Sequence, residues 1–182
     1  MTFIEKNPAA IYFYAKVIGG EVPGPAFSQK CGSYKLNGKQ VGATVKEKTS
    51  MYKNQKITVL IEVIVRAVTV YVVPSVSQMI IRELNENRPA RKKGGDKVLR
   101  HHNYPLSLDK LFAIVEETIE SKKSRSLTKR GVLCEVLGSA LSVGCTIEEK
   151  SPKEVTRALK ESGESFAKLF GKSVNDVPAY VM

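Results

Sequence analysis

Apolar and polar positions divide this chain into two halves with different periods. In the first half the apolar residues form dense β-branched and aromatic runs. Residues 9–18, AAIYFYAKVI, predict a strand, followed by the turn and loop residues GGEVPGP. Loop continues to Gly38, after which KQVGATVKEKT predicts a short helix. KITVLIEVIV and VTVYVV, parted by Arg66–Ala67, predict a hairpin, although no Asn-Gly marks its turn. Pro74 stops the second strand. Ser75 or Ser77 then caps SQMIIREL, a short helix with Met79, Ile80 and Leu84 on its buried side. The order β-loop-α-β-β-α predicts a small α/β sandwich over residues 1–86, an antiparallel sheet with two helices.

Residues 87–106 break that pattern. Pro89, Gly94, Gly95 and Pro105 deny them regular structure, and residues 88–100 carry six basic side chains and one acid. They predict a basic linker. Beyond it the period becomes helical. SLDKLFAIVEETIES places Leu108, Leu111, Val115 and Ile119 on one stripe with Ser107 as cap. After the basic loop KKSRSLTKRG, VLCEVLGSALSVG predicts a helix ending at Gly144, a left-handed stop. CTIE is a short strand or extended link. SPKEVTRALKESG carries Ser151 as cap, Pro152 at the first helical position and Glu154 two residues later, a capping box closed by Gly163. Residues 107–163 therefore predict a three-helix domain. The tail, 164–182, has Phe166, Leu169 and Phe170 in helical spacing and reads as a further short helix or a flexible end. The fold class is α+β.

Charge sharpens this picture. The chain of 182 residues has 29 Lys and Arg against 18 Asp and Glu, a formal net charge of +11. Such an imbalance points to a polyanionic partner, with nucleic acid ahead of an anionic membrane surface. The most apolar run, Val59 to Val73, contains Glu62 and Arg66 and is too short for a membrane helix. The N-terminus carries Glu5 and no long apolar core, so no signal peptide is expected. Cys31, Cys134 and Cys145 are widely spaced and odd in number, which suits a reducing compartment. Catalytic chemistry finds no support. His101 and His102 are adjacent and lack a Cys at ligand spacing, so no metal site is expected; the Gly-bearing stretches lack phosphate-loop spacing; no nucleophile has a base. No cofactor is implied.

One helix stands out. Val136 to Cys145, VLGSALSVGC, is half Gly, Ser and Ala, although a mid-helix Gly costs roughly 1 kcal/mol relative to Ala. Small side chains let a backbone approach another surface closely. That surface is either a neighbouring helix or RNA, whose phosphates and 2′-hydroxyls Ser139 and Ser142 can reach. Two basic segments near it, 88–100 and 122–130, favour RNA. On this reading Val136, Leu137, Leu141 and Val143 hold the helix to the core.

The motifs GGEV, KITV, VVPS, RKK, RSL and GSALSVGC, in this order over residues 9–160, resemble the large-subunit ribosomal protein eleven family. This is the stalk-base protein, whose eukaryotic cytosolic members are usually called number twelve. The resemblance implies a non-enzymatic structural constituent of the large ribosomal subunit, cytoplasmic with nucleolar assembly. An extra-ribosomal RNA- or protein-binding paralogue is the alternative. In the family the C-terminal helical domain binds rRNA of the GTPase-associated centre. Gly138, Ser139, Ala140, Ser142, Val143 and Gly144 should then lie against RNA, and Arg125, Ser126, Lys129 and Arg130 should contact its phosphates. Linker residues Arg91, Lys92 and Lys93 are assigned phosphate contacts as well. The N-terminal domain swings about the linker and faces translation elongation factors, with the acidic stalk protein complex anchored beside it. Its factor-facing loop keeps Lys30, Gly32, Leu36, Val41 and Gly42, but the family's prolines are missing from QKCGSYKLNGKQVG. Losing those fixed φ angles should loosen or reshape the loop.

Overall fold

The computed structural model describes residues 7–65, 67–85 and 104–181. The expectations placed on 88–100, including Arg91, Lys92 and Lys93, and on His101 and His102, lie outside the described residues. Those described form two units, one of residues 7–78, the other of 79–85 with 104–181.

In the first unit, β1 (Ile11–Ile18), β2 (Lys56–Ile64) and β3 (Ala67–Val73) form an antiparallel sheet in that order. Phe13 pairs with Ile61 and Ile61 with Val70, which puts alternate apolar residues on one face. Helices α1 (Pro25–Ser33) and α2 (Gly38–Lys48) cover that face, burying Phe27, Cys31, Val41 and Val45 with the sheet's Val17, Ile57 and Val59. The other face is polar and aromatic. Register places Tyr12, Glu62 and Thr69 side by side, next to Tyr14, Leu60 and Tyr71. The Glu62 carboxylate is 7% exposed and accepts from the Tyr12 hydroxyl at 2.5 Å and the Tyr71 hydroxyl at 2.9 Å. Those bonds, with some desolvation, push both phenols above their usual range. The hairpin turn places Val65 at φ 57, which accounts for the missing Asn-Gly signal: a β-branched residue holds the left-handed position.

Helix α1 corrects the expectation of loop from residue 19 to 38. Pro25 pre-sets its first turn, and no proline follows within it to interrupt the backbone bonds. Most of the residues expected on a factor-facing loop are accordingly on helices. Lys30 and Gly32 lie on α1, Leu36 on the turn, and Val41 and Gly42 on α2, capped by the Asn37 side chain accepting from the Lys39 amide at 3.1 Å.

Helix α3 spans Val76–Leu84. Ser75 is its cap. The Gln78 amide donates to the Ser75 hydroxyl at 3.4 Å, and the Ser75 amide donates to the Gln78 side-chain carbonyl at 2.7 Å. Met79 and Ile80 are buried as expected, whereas Leu84 is only half-buried. Residues from Met79 onward group with the second unit, not with the first as the boundary at 86 anticipated. Arg82 holds both carboxylate oxygens of Glu117, at 2.7 and 3.4 Å, and Lys110 donates to the Glu83 carbonyl at 2.8 Å.

The rest of the second unit comprises α4 (Leu108–Glu120), α5 (Lys129–Val143), α6 (Pro152–Glu161) and α7 (Gly163–Leu169). Two-residue strands β4 (Pro105–Leu106) and β5 (Thr146–Ile147) pair in parallel and brace the start of α4 against the end of α5. The Glu148 carboxylate, just past β5, accepts from the Leu108 amide at 3.2 Å, so it caps α4 where Ser107 makes no side-chain bond. Ser151 also makes none, and the capping box predicted there does not form. Gly163 opens α7 instead of closing α6, since the Ser162 hydroxyl accepts from the Ser165 amide at 3.0 Å. The predicted three-helix domain therefore gains α7 and two 3₁₀ turns, Val174–Asp176 and Ala179–Val181. This tail is core: Phe166, Val177 and Val181 are buried. The α+β class stands, with seven helices and a small antiparallel sheet among the described residues.

Candidate nucleic-acid interface

Helix α5 explains itself by angle. At about 100° per residue, Val132, Leu133, Val136, Leu137 and Ala140 share one stripe. All five are buried, the last four with no exposed surface. The opposite stripe carries exposed Gly138 and Ser142, with Ser139 half-buried at its side. A side chain added at Gly138 would meet nothing within 4 Å, so nothing in the protein requires glycine there. The serine hydroxyls donate to the helix's own carbonyls, Ser139 to Glu135 at 3.1 Å and Ser142 to Ser139 at 2.9 Å, and retain acceptor capacity. Gly144 ends the helix at φ 90, ψ 19, and its amide donates to the Ala140 carbonyl at 3.0 Å. Gly144 is exposed and Val143 half-buried.

Two residues change sides relative to the sequence reading. Ala140 was expected against RNA, yet it lies three and four positions from Leu137 and Val136 and is fully buried. Leu141, expected in the core, is 42% exposed. The division into a large-residue face and a small-residue face holds, with these two exchanged.

The basic loop sorts its charges by where the chain turns. Helix α5 begins at Lys129, three residues earlier than predicted, because the Thr128 hydroxyl accepts from the Gly131 amide at 3.1 Å. Any side chain at Gly131 would make Ser126 turn away from its present position. A Cβ there would lie 2.0 Å from the Ser126 hydroxyl oxygen, since Ser126 folds over the first turn and donates to the Thr128 carbonyl at 3.2 Å. Ser126 is thus half-buried and bonded inward, while Arg125 beside it is exposed. Lys129 is exposed, its ammonium 5.8 Å from the centre of the Tyr180 ring. Arg130 departs from expectation. Its guanidinium is half-buried and donates to the Leu159 carbonyl near the end of α6, so it joins two helices. Lys123 is also turned inward; burial, reinforced by Arg82, lowers its pKa against the pull of Glu117.

Lys129 and Arg130 occupy the positive end of the α5 dipole, and no acid sits in that first turn. A helix selected for its own stability carries the opposite charge there. Exposed Arg125 and Lys129 at the start of α5 suit an anion, and the Gly138–Ser142 stripe, on another side of the helix and farther along it, suits a close-approaching backbone. The sequence did not disclose that Tyr180 lies beside Lys129; an aromatic in a tail of helical spacing carries no signal of its long-range partner. Among the described residues no group of three or more His, Cys, Asp or Glu could hold a metal, and no helix is long and apolar enough to cross a membrane.

Comparison with known proteins meets this geometry. The family model for the ribosomal protein L11 RNA-binding domain matches residues 72–147, which include α4 and α5. Large ribosomal subunit protein uL11 of Encephalitozoon cuniculi is 37% identical over 158 residues, covering 87% of this chain and 92% of that protein. The Schizosaccharomyces pombe protein uL11A is 34% identical over 154 residues, and the Candida albicans uL11 34% over 150, covering 83% and 81% of this chain and 88% and 87% of the respective relatives. Similarity at this level across nearly the full length of each relative, including the helix whose faces are described above, means that the chain belongs to the L11 family of large-subunit ribosomal proteins.

Proposed function

We propose that this protein is a non-enzymatic structural constituent of the large ribosomal subunit that binds large-subunit rRNA through its second unit. The observation that carries the reading is the small-residue stripe of α5, with exposed Gly138 and Ser142 and half-buried Ser139, on a helix that begins at exposed Lys129 and follows exposed Arg125. Shape and phosphate contacts suffice for folded RNA. Gly138, Ser139, Ser142, Val143 and Gly144 take the RNA backbone, and Arg125 and Lys129 its phosphates; Arg91, Lys92 and Lys93 add to the charge. By family resemblance the rRNA is that of the GTPase-associated centre at the stalk base. There the first unit helps to position elongation-factor GTPases, beside an acidic stalk protein complex. Cytoplasmic ribosomes with nucleolar assembly are the corresponding location.

The test is Gly138→Gln. Open space at Gly138 means that the variant folds, with a gain of roughly 0.5–1 kcal/mol from helix propensity. Affinity for a transcript of the GTPase-associated rRNA should nevertheless fall by about tenfold or more, equivalent to ~1.4 kcal/mol. Unchanged binding by the folded variant removes this face from the interface. Sedimentation of the native protein away from large subunits would favour the extra-ribosomal paralogue.

A further inference from the structure

Lys129 is backed by a turn of the tail. Residues 179–181 form a 3₁₀ turn closed by the Val181 amide donating to the Pro178 carbonyl at 2.9 Å, and Val181 is fully buried. That anchor fixes the Tyr180 ring edge-on to Phe112, with centroids 6.2 Å apart and planes at 86°. The ring stands 5.8 Å from the Lys129 ammonium, a cation–π distance. Its hydroxyl is buried and has no hydrogen-bond partner among the described residues, so the ring face makes the contact that matters.

We infer that Tyr180 is a positioning residue that holds the Lys129 ammonium in place for an RNA phosphate. This rests on the proposal that Lys129 contacts RNA. The choice of an aromatic partner has a physical reason. A carboxylate would hold Lys129 equally well but would neutralise it and compete with the phosphate. A ring orients the ammonium, leaves its full charge, and occupies one side only, so N–H donors remain for the ligand. It also lowers the rotamer freedom that a four-carbon side chain gives up on binding. Arg130, next in the chain, is held by a different device, the Leu159 carbonyl. The tail thereby becomes part of the binding surface, although no residue of it need touch RNA.

The experiment is a double-mutant cycle on the full chain, read as affinity for the GTPase-associated rRNA transcript over a salt series. Lys129→Ala should weaken binding and reduce the salt slope by about 0.7–0.9, the loss of one phosphate contact. Tyr180→Leu should weaken binding roughly two- to fivefold, and Tyr180→Phe should match the wild type. In the Lys129→Ala background, Tyr180→Leu should add nothing. Equal weakening by Tyr180→Leu in both backgrounds, or none in either, overturns the positioning role and leaves the Lys129 contact intact. Wild-type affinity and slope for Lys129→Ala overturn the phosphate contact and the positioning role with it. A measurement on the unaltered protein covers the case in which Tyr180→Leu does not fold: the Lys129 ε-methylene protons should be shifted upfield by the ring, and ordinary lysine shifts would refute the contact.

Discussion

At the scale of single residues, Ala140 and Leu141 show how narrow the margin is between a core position and a surface position on a helix. One step is 100°, enough to exchange the buried wall for the solvent edge. Ala140 has no exposed surface, and its carbonyl receives both the Gly144 and the Cys145 amides. Ala140→Leu would therefore strain the core: we expect a loss of about 1–3 kcal/mol of stability from overpacking, measured by urea unfolding of the protein without RNA. A folded variant of unchanged stability would show that the site has room. The residue types that announced this face were nonetheless legible. Gly138, Ser139 and Ser142 sit where small, polar residues imply close approach. What could not be read was the order of sides, because GSALS contains two apolar residues and only the phase of the flanking Val136–Leu137 pair decides between them.

At the scale of elements, the tail turn makes a prediction of its own. Burial, helped by the charge of Glu116, pushes the Tyr180 phenol up to about 12 from an ordinary value near 10. A group whose folded pKa is raised stabilises the fold fully below its unfolded pKa and loses that contribution as pH climbs toward the folded one. The melting temperature should thus fall between about pH 10 and 12, and more steeply than for Tyr180→Phe, which cannot ionise. Parallel declines in the two proteins would contradict the burial of the phenol. The elements were legible in proportion to how local their signals are. Strands β1 to β3 and helices α2, α4 and α6 follow from runs, periods and punctuation. Helix α1 was hidden because PAFSQKCGS buries only Phe27 and Cys31 and has no marked amphipathic period. Thr128 was overlooked as a cap because the basic residues after it read as loop, yet its bond to Gly131 starts α5 three residues early. The capping box at Ser151 shows the opposite failure, a motif present without its hydrogen bonds.

At the scale of the molecule, the division of labour follows charge and covering. The second unit half-buries Lys123, turns Arg130 inward to join α5 to α6, and leaves Arg125 and Lys129 facing out. The first unit buries one sheet face under α1 and α2 and leaves the other to tyrosines around Glu62. That arrangement has a consequence for the chain before it is folded. Residues 57–65, ITVLIEVIV, would without Glu62 form an uncharged run of β-branched residues and one leucine, the kind of segment that stacks with copies of itself into cross-β assemblies. Its carboxylate is a gatekeeper in the nascent chain, where like charges on neighbouring molecules repel. Folding then turns it against the Tyr12 and Tyr71 hydroxyls, which replace the water it loses. Glu62→Val should raise light scattering when the protein is diluted from denaturant, even if the yield that does fold is as stable as before; clear refolding at the same concentration would refute it. A ribosomal protein depends on staying soluble until its RNA arrives, and a single acid in the middle of its most apolar strand provides for that interval.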